Sequence, residues 1–248
     1  MSGESKSLGG RHFTLDIIVP VYNEEKDLPV NIRRLHHFLG KEADCDWRIV
    51  IADNASTDST PAEAQALMEK FPRISYTRLE QKGRGRALKF AWGQSKADVV
   101  GYMDVDLSTN LKHLPEALEL VTQGADVVIG SRLIPGSRIT RSLKREILSR
   151  GYNLLVHLIF GIHFSDAQCG FKFLTARALH TLRPLLHDPR WFFDTELLVM
   201  AERRGFKIGE IPVEWIEDLE TTVRIVKDIF QDSYALAKLR LRLWLGVK

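Results

Sequence analysis

Val99-Val-Gly-Tyr-Met-Asp-Val-Asp-Leu-Ser108 joins an unbroken apolar run to two aspartates spaced i, i+2. A short apolar run bounded by polar residues reads as a buried strand, and the aspartates stand at its C-terminal end. Four further apolar runs rich in β-branched residues lie at Leu15–Val21, Trp47–Ala52, Ile74–Leu79 and Asp126–Ile129. Segments with helical spacing separate them: Glu25–Leu39, Pro61–Lys70, Gly85–Ser95 and Leu111–Gln123. Strand and helix in alternation predict an α/β fold, a doubly wound and mostly parallel sheet with helices on both faces. Ligands of such sheets gather at the C-terminal ends of the strands. The loops to inspect therefore follow Val21, Ala52 and Met103.

After Pro135 and Gly136 the pattern changes. A basic stretch runs into Ile147–Phe164, which is apolar on most faces. A turn-like Asp166-Ala-Gln-Cys-Gly170 follows, then a helix around Asp194–Arg204, a strand at Phe206–Val213 and a last helix at Val223–Leu245. The 248 residues, 44% hydrophobic and 27% charged, suit one large domain and exclude a disordered or fibrous chain. Cys45 and Cys169 make neither a disulfide framework nor a zinc cluster by themselves, which favours a reducing compartment. No apolar run approaches the roughly 18 residues that span a bilayer, and Met1 to Arg11 lacks the apolar centre of a signal peptide.

The net charge is +3, from 35 Lys and Arg against 32 Asp and Glu, and it is unevenly placed. From Arg132 to Arg150 six basic residues face Glu146, a net +5, and from Phe230 to Lys248 four face Asp232, a net +3. The remainder sums to −5. Basic clusters suit phosphate, nucleic acid or an anionic membrane, or simply form a solvated helix face. No nucleic-acid partner is expected, because aromatic residues are not interleaved with the basic clusters.

Each strand-end loop carries polar groups with two readings. In Pro20-Val-Tyr-Asn-Glu24 they touch a ligand, or Asn23 caps the next helix. In Asp53-Asn-Ala-Ser-Thr-Asp58, Asp53 can accept hydrogen bonds from a nucleobase or ribose, while Ser56 to Thr60 reads as helix capping. Gln81-Lys-Gly-Arg-Gly-Arg86 offers glycine backbone N–H groups and three cations to an anion. Asp104 and Asp106 are exposed turn aspartates, or they share a hard divalent ion with diphosphate oxygens.

These motifs, in this order, resemble glycosyltransferase family 2. Gly130-Ser-Arg132, Asp166-Ala-Gln-Cys-Gly-Phe-Lys172 and Trp191-Phe-Phe-Asp194 with Glu196 resemble its dolichyl- or polyprenyl-phosphate branch, over roughly residues 13 to 226. Residues 1–12 are expected to be a flexible N-terminus and 223–248 a basic amphipathic helix. The resemblance implies a GT-A fold, expected over 13–222. It implies an inverting transfer of a hexose from a nucleotide-diphosphate sugar, a UDP-hexose favoured, to polyprenyl phosphate. Pro20, Tyr22, Glu24, Asp53, Lys82 and Gly83 would line the nucleoside pocket. Asp104, Asp106 and Ser108 would hold Mg²⁺ or Mn²⁺, and Asp166, Gln168 and Asp194 would bind the sugar. Arg132, counted with the two aspartates as catalytic, would bind the acceptor phosphate, with Arg145 and Ser149 as a second phosphate-binding pair.

A phosphate acceptor is already ionised near neutral pH and needs no base, whereas a sugar hydroxyl needs a carboxylate. Asp194 and Glu196 are the residues that discriminate the two. The alternatives are a same-fold enzyme with a soluble acceptor, a GDP-mannose-dependent mannosyltransferase, or a non-catalytic adaptor. The expected place is the cytoplasmic face of a membrane, held at the surface by the C-terminal helix or by a membrane-protein partner. Two departures stand out: Asp53-Asn-Ala-Ser56 replaces the family's Asp-Asp-Gly-Ser, and Thr221-Thr222 with Arg224 stands where relatives carry a Ser-Lys or Ser-Arg pair.

Overall fold

The computed structural model describes residues 7–8, 11–217 and 225–246. Thr221, Thr222 and Arg224, like the start of the expected last helix, lie outside the described residues. The elements in chain order are β1 (Ser7–Leu8), β2 (Arg11–His12), β3 (Thr14–Val21), α1 (Asp27–Glu42), β4 (Asp46–Asn54), α2 (Thr60–Lys70), β5 (Ile74–Leu79), α3 (Arg84–Gln94) and β6 (Val99–Met103). They continue as α4 (Leu114–Thr122), β7 (Val127–Ser131), β8 (Arg138–Thr140), α5 (Leu143–Phe160), β9 (Phe171–Thr175), α6 (Ala176–Leu182), α7 (Phe193–Arg203), β10 (Ile208–Pro212), β11 (Glu214–Ile216) and α8 (Ile225–Trp244). Within the stretch expected to be flexible, β1 and β2 pair antiparallel.

Seven strands form one sheet in the order β10-β7-β9-β6-β3-β4-β5. Six run the same way, and β9 is inserted antiparallel between β6 and β7. The near-continuous apolar strands follow from burial of both faces. Leu15, Ile17, Val19 and Ile49 face α1, α2 and α4. Ile18, Val50, Val100 and Tyr102 face α3 and α5 to α8. Leu236 and Leu239 bring α8 into this second core, so the last helix is packed on the domain along one side. A two-stranded parallel ladder, β8 with β11, lies beyond the main sheet.

Candidate active site

Because β6, β3 and β4 are consecutive neighbours and parallel, their three C-terminal loops converge. Each loop holds one non-glycine residue at positive φ: Asn23 at 57°, Ala55 at 64° and Leu107 at 50°. A side chain in that region costs about 1–2 kcal/mol, and it persists where the surroundings over-determine it. Those surroundings are visible in the first two loops. Ser56 Oγ accepts from Asn23 N at 3.0 Å, Asn23 Oδ1 accepts from Thr57 N at 2.8 Å, and Thr60 Oγ1 accepts from Glu24 N at 2.7 Å. Asn23 thus clasps the neighbouring loop and does not cap α1, which starts after Lys26 without a side-chain cap.

Asp53 is wholly buried. It accepts from Ser56 N at 2.9 Å and from the Tyr76 hydroxyl at 2.7 Å, with Arg78 at 3.7 Å. Its carboxylate therefore organises the turn. Pro20, Tyr22 and Glu24 are half-buried at the rim, and the Lys82 ammonium lies 3.2 Å from the centre of the Tyr22 ring.

The glycine loop does not cradle an anion as its sequence suggests. Gly83 N donates to Asn54 Oδ1, and Gly85 N and Arg86 N donate to the carbonyls of Arg190 and Pro189, each at 3.2 Å. A Cβ at Gly83 would stand 2.4 Å from Pro189 O, and one at Gly85 would stand 2.7 Å from Asp188 O. The glycines admit the backbone of residues 188–190, and the N–H groups are spent inside the protein.

Asp104 and Asp106 line one cleft together with Ser108, Gly170 and Trp215. Ser108 holds Asp106 by two hydrogen bonds, from N at 3.0 Å and from Oγ at 2.6 Å. In this arrangement Ser108 orients a carboxylate. Among the described residues no three His, Cys, Asp or Glu side chains gather to hold an ion unaided. Two carboxylates in a cleft fit a hard divalent cation that completes its shell with diphosphate oxygens and water.

Arg84, one of the three cations of the glycine loop, takes up contacts that spacing does not reveal. One amino group lies 2.6 Å from Asp104 Oδ1 and the other 2.5 Å from Asp194 Oδ2. Asp194 also accepts from Lys172 Nζ at 2.9 Å, and all three of Arg84, Lys172 and Asp194 are buried. Burial pushes the Asp194 carboxyl up against the pull of Arg84, and it draws the Lys172 ammonium down. Two cations answer two carboxylates here, which is what lets such charges leave water. The Tyr102 hydroxyl is buried beside them without a hydrogen-bond partner.

Arg132 forms a second buried unit. Its Nε and Nη2 donate to Asp166 at 2.7 and 3.0 Å, and its backbone N adds a third bond at 3.1 Å. Burial opposes ionisation of Asp166, yet the guanidinium holds its pKa down to about 2. Asp166 is fully buried and faces Arg132, whereas Gln168 is exposed. The Arg132 guanidinium lies 5.3 Å from the ring of Trp215 and so reaches the wall of the aspartate cleft. Of the second phosphate pair, Arg145 is bound to Glu217, while the buried Ser149 Oγ has no hydrogen-bond partner.

Both candidate bases are engaged by partners inside the protein. Asp194 is enclosed by Arg84 and Lys172. Glu196 is 2% exposed, lies 2.8 Å from Arg242 and accepts from the backbone N–H groups of His187 and Asp188, each at 2.8 Å.

The family model for Glycosyl transferase family 2 matches residues 16–183. Glycosyltransferase AglD of Haloferax volcanii is 37% identical over 221 residues, which cover 87% of this chain and 35% of that protein. Dolichyl-phosphate beta-glucosyltransferase ALG5D of Trichomonas vaginalis is 33% identical over 216 residues, 82% of this chain and 66% of its own length. The Dictyostelium discoideum dolichyl-phosphate beta-glucosyltransferase is 30% identical over 247 residues, 94% and 76% of the two chains. The chain thus spans about a third of the first relative and just under two thirds of the second. Among solved structures, glucosyl-3-phosphoglycerate synthase of Mycobacterium tuberculosis, crystallised with Mn²⁺, UDP-glucose and phosphoglyceric acid, superposes with a TM-score of 0.68 at 17% identity. It covers 92% of this chain and 79% of its own, a likeness of fold.

Proposed function

The chain belongs to glycosyl transferase family 2 and has its GT-A fold, and on that premise we propose that it is an inverting transferase moving a hexose from a UDP-hexose to polyprenyl phosphate. The names of the dolichyl-phosphate relatives support the acceptor class, and the UDP-glucose-bound neighbour supports the donor. One observation carries the reading: Asp194 and Glu196 are both committed to internal ion pairs. A hydroxyl acceptor needs a base, whereas a phosphate monoester needs only to be held in line.

Asp104 and Asp106, the latter oriented by Ser108, would bind Mg²⁺ or Mn²⁺, which neutralises charge growing on the departing diphosphate. Lys82 beside Tyr22 supplies a further cation at the rim. Arg132, fixed by Asp166 and resting on Trp215, faces the acceptor phosphate, for which a guanidinium fork is suited. Asp166 and Asp194 serve as holders of Arg132 and Arg84, leaving exposed Gln168 as the sugar contact of the three.

The same reading places the protein at the cytoplasmic face of a membrane. No helix among the described residues is long and apolar enough to cross one. Leu154, Leu155 and Leu158 of α5 and Leu241 and Trp244 of α8 are nevertheless exposed, and of these Leu155, Leu241 and Trp244 line an apolar groove with Ile159 and Arg240. An exposed apolar strip with basic neighbours suits a lipid surface.

Radiolabelled UDP-glucose, UDP-N-acetylgalactosamine, UDP-galactose and GDP-mannose, each with a short polyprenyl phosphate and Mg²⁺ or Mn²⁺, test the proposal. We expect label in the organic phase from a UDP-hexose and none with Asp106→Ala. Label that stays wholly in water-soluble product overturns the acceptor, and transfer from GDP-mannose alone overturns the donor.

A further inference from the structure

The guanidinium of Arg84 already rests on Asp104, 2.6 Å from Oδ1, and it has little freedom to leave. Its second amino group is 2.5 Å from Asp194, which Lys172 tethers in turn. Its carbon lies 5.1 Å from the centre of the Tyr102 ring and 4.9 Å from that of Trp191. The start of α3, which carries Arg84, is pinned by the bonds from Gly83 to Asn54 and from Gly85 to Arg190. Behind Asp104, a methyl group on Gly170 would stand 1.8 Å from Oδ2. The carboxylate is therefore wedged between a fixed cation and a bare backbone, with 39% of its side chain open to the cleft.

We propose that Arg84 is a positioning residue that competes with the divalent cation for Asp104, so that the protein takes the ion well only together with the diphosphate of its donor. This rests on the reading of Asp104 and Asp106 as the ion-binding pair. Two cations sharing one carboxylate repel, and at low dielectric the repulsion is strong. Arg84 is buried and anchored at Asp194, so it cannot swing into solvent to relieve it. A diphosphate changes the balance, because its oxygens place negative charge beside the ion and the guanidinium together. A resident guanidinium thereby strengthens the coupling between the ion and the diphosphate beyond their direct attraction.

The test is Mn²⁺ binding, followed by electron paramagnetic resonance and calorimetry, without and with UDP, for the intact chain and for R84Q, R84K and D194N. R84Q keeps polar contacts but removes the charge. We expect it to tighten Mn²⁺ binding to the nucleotide-free protein by about fivefold or more, within the range of linked sites, and to shrink the gain that UDP brings by the same factor. R84K keeps the charge and should retain most of that gain. D194N leaves Arg84 with Asp104 as its only carboxylate and should weaken nucleotide-free binding while enlarging the gain that UDP brings, whereas structural damage weakens both conditions alike; this keeps the test decisive if R84Q does not fold. A purely structural Arg84 gives the opposite sign in R84Q, weaker binding in both conditions, and that result or an unchanged affinity overturns the proposal. Absence of Mn²⁺ binding to the unaltered chain even with UDP overturns the ion-binding reading itself.

Discussion

Gly170 leaves no room for a side chain, since a Cβ there would meet Asp104 Oδ2 at 1.8 Å and its carboxyl carbon at 2.5 Å. Gly170→Ala must therefore move Asp104, and we expect transfer to fall by about 100-fold, as for misplacement of a reacting group by an ångström. Thermal denaturation should show a shift of only a few degrees, because the residue is not at positive φ. Asp166 offers a prediction of stability. Its folded-state pKa of about 2 lies below the ordinary 3.8, so the stabilisation is fully present above pH 3.8 and is lost as pH falls through about 2. Asp166→Asn strands the buried Arg132, and urea unfolding at pH 7 should register a loss of about 3–5 kcal/mol that narrows between about pH 4 and 2. Site residues were legible where their meaning is local. Asp104 and Asp106 end a strand that announces itself. The role of Arg84 was not legible, because its partners stand 20 and 110 positions away and only the fold brings them together.

Strands and helices up to Ser131 follow the apolar periodicities closely, as β5 and β6 show by matching their expected limits. The later half was less readable. Phe171–Thr175 is a central strand running against its neighbours, and pairing direction depends on where the chain returns from, not on composition. The last helix also differs from the expectation of a basic membrane strip. Arg242 turns inward, 2.8 Å from buried Glu196, and donates to Leu185 O, so it fastens α8 to α7. Arg242→Ala leaves Glu196 buried without its cation, and we expect a loss of about 3–5 kcal/mol in chemical denaturation with faster proteolysis within α8. A variant as stable as the parent would show that the ion pair does not hold the helix.

Across the whole molecule, the concentrated positive charge is smaller than the sequence implies. Arg132 is bound by Asp166, Arg145 by Glu217, and Arg141 and Arg150 share Glu146. Two of those three acids lie outside the basic segment in sequence, and they lower its +5 to +3 in space. Attraction to a membrane must then lean on the apolar strip more than on charge. Leu158→Glu together with Trp244→Glu should abolish flotation with phosphatidylserine vesicles, while added salt to about 0.5 M should leave much of the parent's binding in place. Complete loss in salt would reverse that ranking. The strip has a consequence for the protein in plain water. Leu158 and Trp244 are each about three-quarters exposed, and away from lipid the readiest cover for them is another copy of the same chain. The colloidal behaviour of the protein in solution therefore reports on this surface: elution volume should shrink as concentration rises, and a mild detergent should reverse the shift.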